Sequence, residues 1–360
     1  MRIAPHYFTD VRKTIIRIAW ILLLSSCLSP IEFPTDNIGN RLVVSGQVSP
    51  IVDQNYVQLG RTAETDRLPF PLSGALVQLF DDVGNEFAYK EDEFNPGMYL
   101  LDGFTGVPST QYFIRISTPE GETYESTPEI MPEEAGTITT YFDFQREETT
   151  DNEGIITEKP FIKIYANALL PSSTGNVYMK WNVDEAFLLS PTDFPDPFGS
   201  VPPPCYIVQN ADPQRISLFN GEEVNAAAVE GFLMASRIID WSFHERHYFT
   251  IYQSSLTTEA YEYWRKVNVV ANQVGSIFDM PPAEISGNIR NINNSAEKVL
   301  GYFQATNQTF DRFDVLKTDL PFPVPATPCT FDNRNYQDYQ MRCLDCLSIR
   351  NSSYRRPEWF

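Results

Sequence analysis

Between residues 41 and 144 the chain alternates apolar and polar side chains over short runs, and each run ends in a turn-forming sequence. The apolar positions include Leu42 and Val44 in one run and Val77 and Leu79 in another. A period of two places alternate side chains on the same face of a β-strand. Asp-Asp-Val-Gly, Asn-Pro-Gly and Pro-Glu-Gly separate the runs, and these are turn sequences. Short strands joined by turns predict an antiparallel β-sandwich over residues 41–144.

The sequence from residue 145 onward predicts a second β-rich unit. Residues 145–160 read QREETTDNEGIITEKP, a polar and turn-rich stretch that predicts a hairpin tip or a linker. Aromatic and β-branched alternation returns over residues 161–360, interrupted by the proline-dense loop SPTDFPDPFGSVPPPC that ends at Cys205. The 27 prolines of the chain favour short strands and loops over helical bundles. The predicted fold is therefore mainly β, with a second β-rich domain at residues 161–360 that contains disulfide-stapled loops.

One segment of the second domain has the pattern of a helix. Thr257 precedes the run TEAYEYWRKVNVVANQ, and threonine is a favourable N-cap. Tyr261, Trp264 and Val267 recur every three residues, as expected for a helix that packs one face on a sheet. We interpret the two aromatics as core side chains; the alternative is an aromatic shelf that binds sugars. The second domain is thus expected to contain one or two helices.

The first domain matches a known order of residues. The order is Gly-Ala-x-Val-x-Leu-x-Asp, a turn Gly, Gly-x-Tyr, Tyr-x-x-x-Ile and Gly-x-x-Tyr. It is carried by Gly74, Ala75, Val77, Leu79, Asp81, Gly84, Gly97, Tyr99, Tyr112, Ile116, Gly121 and Tyr124. This order resembles that of prealbumin-like and collagen-binding-B-type domains. The resemblance implies an immunoglobulin/prealbumin-like β-sandwich that serves as a spacer or docking module.

Residues 1–26 have the pattern of an export signal. A basic start is followed by an apolar run of about ten residues, whereas a membrane-spanning helix needs roughly 20. The run ends in Leu24-Ser25-Ser26-Cys27, which resembles the bacterial lipobox. The resemblance implies cleavage before Cys27, acylation of that cysteine, and a tether over residues 27–40 that links the lipid anchor to the first domain. The alternative is an ordinary secretory signal with an incidental cysteine.

The position after the cysteine bears on the destination. Leu28 is not the acidic residue that retains many lipoproteins at the inner membrane, so the expected location is the outer membrane. The sequence does not distinguish the periplasmic face from the cell surface. Without residues 1–26 the chain keeps 23 basic and 46 acidic residues, a net charge of −23. This acidity argues against nucleic acid as a partner.

The four cysteines after Cys27 are Cys205, Cys329, Cys343 and Cys346. An even number in an exported chain predicts two disulfides, and three pairings are open. Cys343 and Cys346 form the sequence CLDC, which would also suit a redox motif. No strand-to-helix pattern of the thioredoxin type precedes it, so we favour structural disulfides.

The sequence shows no recognisable catalytic motif. It lacks a G-x-S-x-G elbow, a P-loop and a GxGxxG in a strand-to-helix setting, and it predicts no cofactor. The two histidines after residue 27, His244 and His247, lie in FHERHYF rather than H-E-x-x-H. A structural zinc site that joins them to Cys343 and Cys346 is an alternative, because these are suitable ligand types. The favoured expectation is no metal.

The C-terminal sequence SYRRPEWF is a second candidate site. Arg355, Arg356, Trp359 and Phe360 would suit contact with a partner protein, because arginine and tryptophan often dominate interface energies. The alternative is that Tyr354, Trp359 and Phe360 close the hydrophobic core.

Several segments together suggest a family. They are DPQRISLFNGEEV, SLTTEAYEYW, GSIFDMPPAEISGNI, VLGYF and CLDCLSIRNSSYRRPEWF. With the lipobox and the first domain they resemble a group of Bacteroidota lipoproteins known by a domain of unknown function. Members are commonly encoded beside TonB-dependent receptors. The resemblance implies a lipid-anchored accessory or binding protein, not an enzyme, that partners a TonB-dependent β-barrel transporter. Alternatives are a surface hydrolase or carbohydrate-active enzyme with an unrecognised carboxylate pair, and a structural adhesin or envelope scaffold.

Overall fold

Alternating strands build two packed sheets from the first part of the chain. The computed structural model describes residues 40–63, 70–134, 136–151, 153–169, 177–190, 203–221, 228–272, 285–329, 339–349 and 351–360. The first sheet contains β1 (Leu42–Val48), β2 (Tyr56–Arg61), β3 (Phe70–Pro71), β6 (Lys90–Glu91), β7 (Met98–Leu100) and β19 (Leu300–Ala305). The second contains β4 (Leu76–Asp81), β5 (Glu86–Ala88), β8 (Gln111–Ser117), β9 (Thr123–Ser126), β10 (Glu129–Ile130) and β18 (Ile289–Asn291). We call this pair the first sandwich.

The core of the first sandwich lies where the alternation predicts it. Leu42, Val44, Val77 and Leu79 are all 0% exposed and belong to one hydrophobic cluster. Burying an aliphatic side chain of this size contributes about 1.5–3 kcal/mol relative to leaving it exposed. Gly97 adopts a φ of +78° in the turn before β7. The predicted sandwich is confirmed.

Two strands of the first sandwich come from the C-terminal half of the chain. β19 pairs in parallel with β1, and β18 pairs antiparallel with β9. Their side chains Ile289 and Phe303 are buried in the first core. Both strands follow residue 161, where the second domain was predicted to begin, yet they belong to the first sandwich. Local patterning cannot show a pairing between segments more than 150 residues apart.

The second sandwich also has two sheets. A three-stranded sheet contains β11 (Ile138–Thr150), β12 (Ile156–Leu169) and β16 (Ala228–Ile238). The facing sheet contains β13 (Tyr178–Leu189), β14 (Cys205–Asn210), β15 (Ser217–Asn220), β17 (His247–Leu256), β20 (Asn307–Val315) and β21 (Ser352–Ser353). The polar stretch at 145–160 forms the end of the β11–β12 hairpin rather than a linker. Side chains such as Ile164, Trp181 and Phe249 fill the core between the sheets.

The predicted helix is present as α1, Thr258–Asn272. The Thr257 hydroxyl accepts a hydrogen bond from the Ala260 backbone N–H at 3.1 Å, so Thr257 is the N-cap. Tyr261 is 8% exposed and stacks on Tyr178 of β13 with ring centroids 4.6 Å apart. A second, short helix, α2, spans Met341–Leu344. Within the described chain no helix is long and apolar enough to cross a membrane.

Thr306, directly after β19, hydrogen-bonds to both sandwiches. Thr306 is 0% exposed; its backbone N–H donates to the Val48 carbonyl at 2.9 Å and its hydroxyl to the Ser255 carbonyl at 2.7 Å. It therefore binds a strand of each sandwich. A buried amide network continues this junction, with the Gln47 amide 3.3 Å from Gln308 Oε1. The connection is thus fixed by backbone and side-chain hydrogen bonds.

Candidate functional site

Part of the predicted site lies outside the described residues. The export signal at 1–26 and the predicted lipidation site Cys27 fall in that part. The proline-dense loop is described only from residue 203. The structure therefore bears on the disulfides, the histidines and the C-terminal segment.

All four predicted cysteines form disulfides. Cys205 is bonded to Cys346 with Cα atoms 6.0 Å apart, and Cys329 to Cys343 with Cα atoms 5.1 Å apart. The two cysteines of CLDC are thus bonded to distant cysteines and not to each other. The disulfide prediction is confirmed. The alternative zinc site would need free thiolates, and the sulfurs of Cys343 and Cys346 are in S–S bonds.

The two histidines of the alternative zinc site are separated in the fold. His247 is 0% exposed; its Nε2 lies 3.0 Å from Glu185 Oε2 and its Nδ1 3.3 Å from the Ser242 carbonyl. His244 Nε2 instead lies 3.0 Å from Lys317 Nζ. Among the described residues no three His, Cys, Asp or Glu side chains are grouped to hold a metal ion.

Glu185 is the centre of a buried charge cluster inside the second sandwich. Its carboxylate accepts hydrogen bonds from Arg237 Nε and Gln209 Nε2, each at 2.7 Å, in addition to the His247 contact. Burial raises the pKa of Glu185, but the contacts with His247 and Arg237 outweigh burial and hold it below its ordinary value. The His247 ring also stacks on Phe243 with centroids 3.9 Å apart. Glu185 is 1% exposed, so these partners enclose its carboxylate.

The C-terminal aromatics lie on the outer face of the β13–β17–β20 sheet, not in the core between sheets. The Phe360 ring is 4.9 Å from Tyr206 and 4.8 Å from Tyr248. The Trp359 ring is 3.8 Å from the Arg312 guanidinium carbon. Trp359 remains 36% exposed. We call residues 353–360, which lie across this face, the strap.

The arginines of the strap are exposed. Arg356 Nε donates to the Phe360 carbonyl at 3.0 Å, which folds the strap back on itself. Arg355 donates its backbone N–H to Ser353 Oγ at 3.0 Å, and its side chain faces solvent. Tyr354 is 45% exposed. Neither the arginines nor Tyr354 enters a hydrophobic cluster.

The same outer face carries a row of charged and aromatic side chains that the sequence did not single out. Asp184 of β13, Thr250 of β17 and Arg312 of β20 are neighbours in register. Lys180 and Tyr252 point to the same face because strand residues two apart share a face. We call the following half-buried set the charged strip: Tyr56, Lys180, Asp184, Tyr252, Trp264 and Arg312.

Lys180 is held against an indole. Its Nζ lies 3.4 Å from the centre of the Trp264 ring, a cation–π contact. Trp264 is also held at its ring edge, because its Nε1 donates to Gln304 Oε1 at 2.8 Å. Burial lowers the pKa of Lys180 to about 8, partly opposed by the charge of Asp184. The Lys180 amine therefore changes between its charged and neutral forms near pH 8.

Asp184 is oriented by a relay of amides. Asn210 Nδ2 donates to Asn182 Oδ1, and Asn182 Nδ2 donates to Asp184 Oδ1, each at 2.7 Å. Burial raises the pKa of Asp184 to about 6, although Asn182 and Lys180 favour the charged form. The carboxyl group therefore titrates close to neutral pH.

Two phenols surround Asp184. Burial, with a smaller effect from the Asp184 charge, raises the pKa values of Tyr56 and Tyr252 to about 12. The Arg312 charge partly opposes the rise at Tyr252, and Arg312 donates from Nε to Thr250 Oγ1 at 2.8 Å. Tyr56 belongs to the first sandwich, so the charged strip lies where the two sandwiches meet.

The sequence comparison assigns a family. A model described as a domain of unknown function, DUF4249, matches residues 29–312, which is more than half of the chain. The chain belongs to the DUF4249 family. No curated protein matches this sequence. In this DUF4249 protein the charged strip lies inside the matched region, whereas CLDC and the strap follow it.

Sequence reasoning missed the charged strip for a physical reason. Lys180, Asn182 and Asp184 alternate with apolar residues in MKWNVDEAFLL, a pattern that indicates only the outer face of a strand. Their environment depends on Trp264 and Tyr56, which are distant in sequence. The alternation thus identified the outer face of β13, but not the side chains from distant segments that cover it.

Proposed function

We propose that this DUF4249 protein is an exported, lipid-anchored binding protein that acts as an accessory subunit of a TonB-dependent β-barrel transporter in the outer membrane. The observation that carries the binding role is the charged strip, in which both signs of charge and several aromatic rings remain half-buried at the meeting of two sandwiches. Protein sites for small ligands are typically such combinations of apolar walls and a few placed polar groups.

The two disulfides support the export part of the proposal. Disulfides persist in oxidising compartments outside the cytoplasm. Both bridges tie the segment after residue 328 to itself or to β14. Acylation of Cys27 would anchor this folded unit through the tether at residues 27–40.

The transporter as partner follows from the resemblance to lipoproteins encoded beside TonB-dependent receptors. The mechanism we propose is contact and placement: the chain holds a nutrient at the membrane surface and helps the barrel admit it, or helps assemble the complex. No bond is made or broken in this mechanism.

The pair of acids with oppositely shifted pKa values does not form a hydrolytic pair. Asp184 and Glu185 are adjacent acids whose pKa values shift in opposite directions, which in some hydrolases marks an acid and its partner. As neighbours on a strand they point to opposite faces, and Glu185 is enclosed in the core. These two carboxylates therefore cannot flank one scissile bond.

Growth experiments separate the proposed function from the alternatives. Cells without this chain should grow poorly on at least one of a panel of sole nutrients, and wild-type protein, but not Cys27→Ser, should restore growth. Normal growth on every nutrient with loss of surface attachment would instead support an adhesin or scaffold. Turnover of a glycan or peptide by the purified chain, abolished by one carboxylate substitution, would support a hydrolase.

A further inference from the structure

The charged strip contains two cations, Lys180 and Arg312, that form no salt bridge with a described carboxylate. In the part of the chain that the structure describes, neither Lys180 nor Arg312 forms a salt bridge; their close contacts are to Trp264 at 3.4 Å, to Trp359 at 3.8 Å and to Thr250 at 2.8 Å. The protein carries a net charge of −20, so acidic side chains are abundant on its surface. Lys180 and Arg312 thus form a local positive region on an acidic protein.

Asp184 lies beside these cations with capacity for more hydrogen bonds. A carboxylate accepts about four hydrogen bonds. Among the described residues Asn182 supplies a single one, to Oδ1 at 2.7 Å. The phenols of Tyr56 and Tyr252 are close enough to respond to its charge, yet neither is hydrogen-bonded to it within the described chain. A half-buried carboxylate with so few donors is suited to a donor from a ligand.

We propose that the charged strip binds a small zwitterion with a free amino end and a free carboxyl end, an amino acid or a short peptide. The ammonium group of the ligand donates hydrogen bonds to Asp184, and its carboxylate accepts from Lys180. This inference rests on the binding function proposed above and names its ligand class. Each charged end of the ligand then faces a side chain of opposite charge, so neither side chain has to change its protonation state on binding.

The spacing of the two side chains fits such a ligand. Lys180 and Asp184 are four residues apart on one face of β13, so their Cα atoms are separated by about 13 Å. Their charges interact, but no salt bridge joins these two described residues. An extended peptide covers about 3.3–3.6 Å per residue, so a dipeptide or tripeptide is about 7–11 Å long. Such a ligand is short enough to lie between the two side chains.

A zwitterion also fits better than a neutral sugar. A neutral ligand that covered the strip would remove water from the Lys180 ammonium and the Asp184 carboxylate without supplying a counter-ion to either. Desolvating unpaired charges is costly, whereas a ligand with both charges offsets that cost.

Calorimetric titration of the purified complete chain in mild detergent tests the proposal, with alanyl-alanine as the probe. We expect binding by the dipeptide, and at least tenfold weaker binding by both N-acetyl-alanyl-alanine and alanyl-alanine amide. Because these comparisons use the wild-type chain, they do not depend on the folding of a variant. Asp184→Asn and Lys180→Met should each weaken alanyl-alanine binding at least tenfold. Asp314→Asn, on the same face but outside the strip, should leave it unchanged.

Absence of binding at millimolar dipeptide would overturn the proposal, as would equal affinity for the capped peptides or an unaltered affinity in Asp184→Asn. Binding of maltose in place of the dipeptide would overturn it as well and assign a neutral ligand. The readout is independent of the transporter, because the purified chain is titrated alone. Failure here with a nutrient defect in cells would reject the ligand class and keep the accessory role.

Discussion

The Glu129 carboxylate of β10 accepts a hydrogen bond from the Thr257 hydroxyl at 2.9 Å. Thr257 is the N-cap of α1, so this contact joins the first sandwich to the start of the helix. The Tyr302 hydroxyl donates to the other oxygen of Glu129. Glu129 is 5% exposed, and burial raises its pKa to about 7. A carboxyl group at this junction is therefore largely protonated in mildly acidic solution.

This shift predicts a pH dependence of stability. The folded pKa of Glu129 lies above its ordinary value of 4.5, so the protonated form stabilises the fold below about pH 4.5 and that contribution is lost as pH rises through 7. A shift from 4.5 to about 7 corresponds to about 3 kcal/mol. The free energy of unfolding, measured with urea, should fall less between pH 5 and pH 8 in Glu129→Gln than in the wild-type chain. Glu148→Gln on the exposed hairpin is the control. If the free energy of unfolding fell as much in Glu129→Gln as in the wild-type chain, the raised pKa of Glu129 would be contradicted.

The strands from the C-terminal half should be essential to the first sandwich. Phe303 of β19 is 0% exposed in the first core. Phe303→Ala should lower the free energy of unfolding by about 3–5 kcal/mol, because it leaves a cavity in that core. Phe310→Ala, whose ring is 49% exposed, is the matched control and should change little. A loss in Phe303→Ala no larger than the control would contradict the packing of Phe303 in the first core.

The two disulfides should differ in their contribution to stability. Cys205–Cys346 spans 141 residues and Cys329–Cys343 spans 14. In the chain-entropy model the longer loop is worth about 5 kcal/mol and the shorter about 3 kcal/mol. Double serine replacement of each pair, followed by thermal unfolding, should lower the melting temperature more for the longer loop. The reverse order would indicate that local strain or residual structure in the unfolded chain dominates.

Ligand binding at the charged strip should peak near pH 7. Asp184, with a pKa of about 6, loses its charge as pH falls, and Lys180, with a pKa of about 8, loses its charge as pH rises. The neighbouring phenols of Tyr56 and Tyr252 stay neutral across this range, because burial raises both pKa values to about 12. The affinity for alanyl-alanine, measured at pH 5, 7 and 9, should therefore fall on both sides. The ligand amine also loses its proton near pH 8, so the acidic limb is the sharper test. A flat profile from pH 5 to pH 7 would argue against a role for Asp184.

Local features of the fold were predictable because they depend on neighbouring residues. The buried positions Leu42 and Val44 follow from alternation, and the N-cap Thr257 follows from its place before an amphipathic run. The four structural cysteines followed from their even number in an exported chain, but their pairing did not, since three pairings satisfy the same count.

Features that depend on distant segments were not predictable. The parallel pairing of β1 with β19 brings Gly46 opposite Phe303, and nothing in either segment alone identifies the other. The shifted pKa values of Lys180 and Asp184 arise from burial at the meeting of two sandwiches. A single sequence indicates that these residues face outward, but it does not show what lies above them.

Co-purification tests the proposed accessory role most directly. The native chain would be extracted in mild detergent and isolated, and all proteins that accompany it identified by mass spectrometry, with Cys27→Ser as the control for the anchor. We predict a TonB-dependent β-barrel transporter in a fixed ratio with the wild-type chain, and loss of membrane association in Cys27→Ser. A wild-type chain that emerges from the membrane alone would contradict the role as a stable transporter subunit.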